Sequence, residues 1–196
     1  MSKRILALML VLCLMMGMIP AVSAAEQEEQ SDIGIITSGT CGDNLTWNWS
    51  YDDGEGYLVI SGTGAMYDYS DESDSTHAPW YQYVLYNTPQ DDRYRDLRVN
   101  VEIESGVTSI GAYAFADCFV DEISIPDTVV RIGDYAFKGV RLLRDIVIPK
   151  TVTFLGNGVL QGAVELISVE ILADIPELPE RACYGVFEIQ SVTLPQ

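Results

Sequence analysis

His77, four cysteines and 29 carboxylates are the side chains of this 196-residue chain with catalytic or metal-binding chemistry to offer. His77 is the sole histidine and lies in the polar stretch DSTHAPW. No nucleophile on a tight strand-to-helix turn accompanies it, so a Ser-His-Asp relay has no parts. Cys13, Cys41, Cys118 and Cys183 are isolated from one another, with no C-x-x-C pair and no Cys/His cluster. That spacing supplies no zinc site. Cys13 falls inside an apolar run, and the three others are an odd number, which does not make a disulfide framework. The acidic stretches YDDGE (Tyr51 to Glu55) and DYSDESDS (Asp68 to Ser75) lack the alternating spacing and closing glutamate of a calcium loop. No phosphate-binding loop is present. The chain is expected to hold no metal or cofactor and to catalyse nothing.

The remaining chemistry is noncovalent, and it recurs at a fixed interval. Glu102, Ser124, Val147, Glu170 and Thr193 each stand between two apolar residues. Two positions earlier come Asn100, Glu122, Asp145, Ser168 and Ser191. On a strand, alternate side chains share a face, so both sets point away from a core that their neighbours enter. Rows of carboxylates, hydroxyls and small side chains can bind a partner by charge and hydrogen bonds. Glu102, Glu122, Ser124, Asp145, Val147, Ser168, Glu170 and Thr193 are the candidate ligand-binding residues.

The elements that must position these rows are repeats. VTSIGAYAFADCFVDEISIPDT covers Val107 to Thr128, and VVRIGDYAFKGVRLLRDIVIPKT covers Val129 to Thr151. VTFLGNGVLQGAVELISVEILADIPE follows from Val152 to Glu177, and a degenerate copy runs from Leu178 to Gln196. Ile110, Ile132, Leu155 and Leu178 form one column, and Phe115, Phe137, Leu160 and Cys183 a second. The strand column Val101, Ile123, Ile146, Val169 and Val192 advances by 22, then by 23 each time. A unit this short cannot enclose its own apolar side, so each must be covered by the next. Pro126 and Pro149, lacking an N–H, mark where the strand ladders stop. The GAYAF and GDYAF segments predict a single helical turn closing each unit. A β-sandwich would account for the alternation but not for the recurring IG-x-YAF.

These repeats resemble the BspA-type leucine-rich repeats of bacterial surface proteins, whose unit reads approximately V-x-x-I-G-x-x-A-F-x-x-C/N-x-x-L-x-x-I-x-I-P. Residues Val107 to Thr128 match nearly every position, and Cys118 falls where that pattern has Cys or Asn. The third unit replaces Ala-Phe with GVL (Gly158 to Leu160), and the fourth puts Cys183 in the Phe column. The resemblance implies an α/β repeat solenoid with short parallel strands and short helical turns, and a non-enzymatic protein that binds host or matrix ligands. A structural spacer and a glycan-binding module are the alternatives.

Ahead of the repeats, Leu45, Trp47, Trp49 and Tyr51 alternate, a two-glycine turn follows, and Tyr57 to Ile60 reads as a second strand. This predicts a β-hairpin cap. Trp47, Trp49 and Trp80 are expected to pack in it, a sugar platform being the other use for them. Residues 25–38 read as a flexible acidic linker, 39–95 as the cap region and 96–196 as the solenoid.

Residues 1–24 read as a secretory signal: Lys3 and Arg4, an apolar run, then AVSAAEQ with small residues for cleavage. The formal charge is −18, and losing Lys3 and Arg4 makes it −20. Such a polyanion repels nucleic acid and anionic membranes. The expected setting is extracellular, with no membrane insertion after cleavage, and the expected partner is a protein or matrix ligand, with a glycan as the alternative. Five strands make a face only roughly 20 Å wide.

Overall fold

The structure, a computed structural model, describes residues 34–52, 54–73, 76–84 and 98–194. The signal reading of residues 1–24 lies outside them. Among the described residues no helix is long and apolar enough to cross a membrane. In chain order the elements are β1 (Gly34–Gly42), β2 (Leu45–Asp52), β3 (Glu55–Gly62), β4 (Gly64–Ala65), the one-turn α1 (Tyr81–Val84), β5 (Arg98–Ile103), β6 (Val107–Ile110), β7 (Glu122–Ser124), β8 (Arg131–Ile132), β9 (Asp145–Ile148), β10 (Phe154–Leu155), β11 (Ser168–Ile171) and β12 (Ser191–Thr193).

The alternation around Trp47 builds the hairpin. Leu45, Trp47 and Trp49 are buried while Thr46 and Asn48 are exposed, and β2 pairs antiparallel with β3 across the turn at Gly54. The cap is larger than a hairpin. β1 pairs antiparallel with β2 and begins at Gly34, inside the stretch read as a linker.

Each of the first three repeats contributes two short strands where the sequence suggested one, and the fourth contributes one, β12. The first set forms a sheet ordered β1-β2-β3-β5-β7 and a second sheet β12-β11-β9. The other set forms β10-β8-β6-β4, all parallel. Ile110 lies beside Ile132, and Val169 lies beside Ile146 and Val192. In these pairs residues one repeat apart are lateral neighbours, as the columns require; Ile123 and Ile146 are not paired in this way. Thr128 and Thr151, after the prolines, donate their hydroxyls to the carbonyls of Val107 and Val129, each closing its own unit end to start.

The third side of each unit is not a helical turn. Its backbone crosses into the left-handed region twice: at Tyr113, Tyr135, Gly158 and Arg181 (φ 52, 55, 57 and 57°), and at Asp117, Gly139, Gly162 and Gly185 (φ 58, 63, 71 and 77°). Left-handed residues cannot continue a right-handed helix. The chain instead turns its amides toward the next unit. Tyr113, Phe115 and Asp117 donate to the carbonyls of Asp134, Ala136 and Lys138 at 3.0, 2.8 and 2.6 Å. Tyr135, Phe137 and Gly139 donate likewise to Asn157, Val159 and Gln161, and Gly158, Leu160 and Gly162 to Glu180, Ala182 and Tyr184. Alternate backbone amides are thus satisfied between repeats, while those of Ala116 and Cys118 close tight turns on the Tyr113 and Phe115 carbonyls of their own unit.

The glycine of the IG motif is dictated by this closeness. A Cβ on Gly133 would sit 2.5 Å from the Ala112 nitrogen, and one on Gly156 2.4 Å from the Asp134 nitrogen. Side chains of the same turn reinforce the stack. Asp134 accepts from the Asn157 N–H at 2.8 Å, and Asn157 accepts from the Glu180 N–H at 3.1 Å.

The cap is shaped as one more unit. β3 pairs parallel with β5, placing Leu58 beside Val101 and Ile60 beside Ile103. Tyr69 donates its N–H to the Ala112 carbonyl, and Asp68 accepts from the Ala112 N–H. Trp80 takes the next place in the Phe column: its ring stacks on Phe115 at 5.6 Å, and its Nε1–H donates to the Ala114 carbonyl at 2.9 Å. In the repeats that carbonyl position receives a backbone amide. A single core thus runs from Leu45 through Trp80 and Phe115 to Val169.

Candidate recognition face

The outward rows exist, in register, on the first set of strands. Glu102 lies beside Ser124, and Asn100 beside Glu122. Val147 lies beside Glu170, which lies beside Thr193; Asp145, Ser168 and Ser191 line up in the same way. Glu102, Glu122, Ser124, Asp145 and Thr193 are exposed, Val147 is 48 % exposed, and Ser168 and Glu170 are half-buried. The structure therefore places all eight candidates at the surface, but in two groups. Glu102, Glu122 and Ser124 belong to the sheet that includes the cap; Asp145, Val147, Ser168, Glu170 and Thr193 belong to the sheet β9-β11-β12.

The division has a cause in the chain. Phe119 bridges Arg141 22 residues on, yet the next strand columns, Ile123 and Ile146, are 23 apart. The extra residue is absorbed at Leu142, whose φ of 69° is unusual for a non-glycine. No ladder joins β7 to β9, although their Cα atoms come within 8 Å of each other. Ile123 and Ile125 are only half-buried there, while Ile146 and Ile148 are 2 % and 1 % exposed.

The face is also wider than the repeats alone provide. Because β3 joins β5, the outward side chains of the cap extend both rows: Tyr57 lies beside Asn100 and Val59 beside Glu102. Ser50 and Asn48 follow on β2, and Thr46 faces Ser61 across the same pair of strands. Alternation in the sequence identified the cap strands but not the parallel pairing that adds them to this face, which joins segments separated by the α1 region.

Charge on the face is nearly all of one sign. Arg98, at the start of β5, pairs at 3.7 Å with Asp121, leaving Glu102, Glu122, Asp145 and Glu170 without a basic residue in their rows. The tryptophans play no part in it. Trp47, Trp49 and Trp80 are 5, 3 and 0 % exposed and pack with Tyr83, Tyr69 and Phe115, so they present no ring to a sugar. Cys41, Cys118 and Cys183 are free thiols, the first two buried.

Residues 95–196 match the BspA type leucine rich repeat region in six copies. Among solved structures the chain is similar to a leucine-rich repeat protein from Eubacterium ventriosum, with a TM-score of 0.53 and 24 % identity over 81 % of this chain and 44 % of that one. It is also similar to the pneumococcal vaccine antigen PcpA (TM-score 0.45, 32 % identity, 47 % of this chain and 24 % of that one). A leucine-rich repeat protein of T. pallidum aligns with a TM-score of 0.42 and 20 % identity over 82 % of this chain and 80 % of that one. The chain spans under half the length of the Eubacterium protein. No match was found among curated proteins.

Proposed function

The chain belongs to the BspA-type leucine-rich-repeat family, and on that premise we propose that it is a secreted or cell-surface, non-enzymatic binding protein. In this reading the repeats form a solenoid whose outward sheet face takes an extracellular protein or matrix ligand. The observation that carries the reading is the pair of outward rows, in register within the sheet that joins cap and first repeat and again within β9-β11-β12, with carboxylates that no basic row neighbour neutralises. At about 4.8 Å per paired strand the five-stranded sheet spans roughly 19 Å and the three-stranded sheet roughly 10 Å, and together they come closer to a standard protein interface than five strands do.

The chemistry of the rows favours a polar partner bearing Lys and Arg. Small hydroxyls and amides between the carboxylates accept and donate hydrogen bonds, while Val59 and Val147 supply limited apolar contact. Long-range attraction between a chain of −18 and a basic protein speeds encounter but does not confer specificity.

The test is capture of matrix proteins and polysaccharides by the purified chain at low and high salt. Specific binding should survive about 0.15 M salt and fall at least about tenfold in the Glu122→Ala/Glu170→Ala variant. Binding that is lost with salt and indifferent to the substitutions would overturn the reading and leave a structural spacer.

A further inference from the structure

We infer that the junction between β7 and β9 is a hinge line across the recognition face, along which the cap and first repeat tilt against the three repeats that follow. On the other two sides the same pair of repeats is fastened. β6 and β8 are joined in register at Ser109/Arg131 and Ile110/Ile132. The turn amides of Tyr113, Phe115 and Asp117 reach the next unit. The Val120 and Arg141 amides donate to the Arg141 and Cys118 carbonyls. A stack fastened on two sides and unladdered on the third opens like a book toward that third side.

Repeat length places the hinge here. From the Phe119 position to the strand column is four residues in the first repeat (Phe119 to Ile123). It is five in the later ones (Arg141 to Ile146, Val164 to Val169, Phe187 to Val192). Units of equal length pair fully, as β9, β11 and β12 do, and the mismatch falls between β7 and β9. Glu122 and Asp145 come next to each other in the row order across this line, and like charges side by side resist closure. Opening changes the separation of Glu122 from Asp145 and of Ser124 from Val147, so a ligand spanning both halves selects one tilt. That consequence rests on the proposed function; the hinge itself does not.

Residue-resolved amide hydrogen exchange on the purified chain tests the hinge without any ligand. In β11 the Ser168 amide donates to the Arg144 carbonyl of the preceding repeat, and alternation aims Glu170 the same way. One repeat earlier, the equivalent amides of Asp145 and Val147 point at β7. They should exchange at least about tenfold faster than those of Ser168 and Glu170. Equal protection at the two pairs would overturn the inference.

Deleting Leu142 shortens the second repeat to match the first and should move the mismatch to β9/β11. Protection should then rise at Asp145 and Val147 and fall at Ser168 and Glu170. A folded variant with the original pattern would overturn repeat length as the cause. If the shortened chain does not fold, the comparison within the unaltered chain decides. Should the hinge pass and ligand capture fail, the recognition reading alone is lost.

Discussion

Phe115 and Phe137 lie one above the other, ring centroids 5.6 Å apart and planes 6° from parallel. Trp80 continues the stack below Phe115 at the same centroid distance, tilted by 25°. Each ring fills the floor of the next repeat, so one side chain serves two units. Phe137→Ala should cost about 3–5 kcal/mol in denaturant unfolding, the range for emptying an aromatic site in a core. Phe137→Leu, which copies Leu160 in that column, should cost under about 1.5 kcal/mol.

The repeat glycines divide into two kinds. Gly162 is left-handed (φ 71°), and the nearest atom to an added Cβ is 3.9 Å away. Gly162→Ala should therefore cost only about 1 kcal/mol of backbone strain. A Cβ on Gly133 would meet backbone of the preceding repeat at 2.5 Å. Gly133→Ala should force the repeats apart and cost about 3 kcal/mol or more. The order of the two unfolding midpoints checks the assignment.

A surface latch ties the cap loop to the second repeat. Lys138 donates to Asp71, 67 residues away in sequence, and its ammonium lies 5.7 Å from the centre of the Tyr113 ring. The hydrogen bond from Lys138 holds the Asp71 carboxyl below its ordinary range, and the same bond to Asp71 raises Lys138. Asp71 therefore stabilises the fold above the usual carboxylate pKa of about 4, and the contribution is lost as pH falls through its lowered value. Lys138 contributes below about 10.4 and loses its part as pH rises through its raised value. Asp71→Asn should cost at most about 1 kcal/mol near neutrality, less at high salt, and remove this latch's acid-side pH dependence. Thermal melts across pH measure it.

The three thiols among the described residues should be modified in a fixed order. Burial pushes Cys41 up to about 12 and raises Cys118 further, and both are 0 % exposed. Cys183 is raised by burial too but is only half-buried. Since the thiolate is the nucleophile, all should react slowly with iodoacetamide, Cys183 first. Labelling of Cys118 should appear only as the chain unfolds, which mass spectrometry of digests will show.

The strand columns and the rows on their outer side were legible because a period of two within a strand and of 22 or 23 between strands leaves a direct trace in residue type. The second strand of each of the first three repeats was hidden in segments of two to four residues, too short to alternate visibly. The left-handed turns were half hidden. Gly139, Gly162 and Gly185 announce one position, but at the other only the third repeat has a glycine, Gly158, while Tyr113, Tyr135 and Arg181 give no such signal. The step from 22 to 23 could be read from the sequence, but its effect on pairing depends on where the added residue is taken up, and only the backbone at Leu142 shows that. Parallel pairing of β3 with β5 is a long-range choice that no local pattern encodes.

The indole of Trp80 and the amide of Tyr69 occupy carbonyls of the first repeat that would otherwise await a preceding unit. This gives the stack a sealed floor and a polarity. A repeat copied into the interior would meet the same donors below and acceptors above as its parent, whereas one inserted beneath the cap would compete with Trp80 for Ala114. Variation in the number of units is thereby steered to the side of the stack away from that tryptophan.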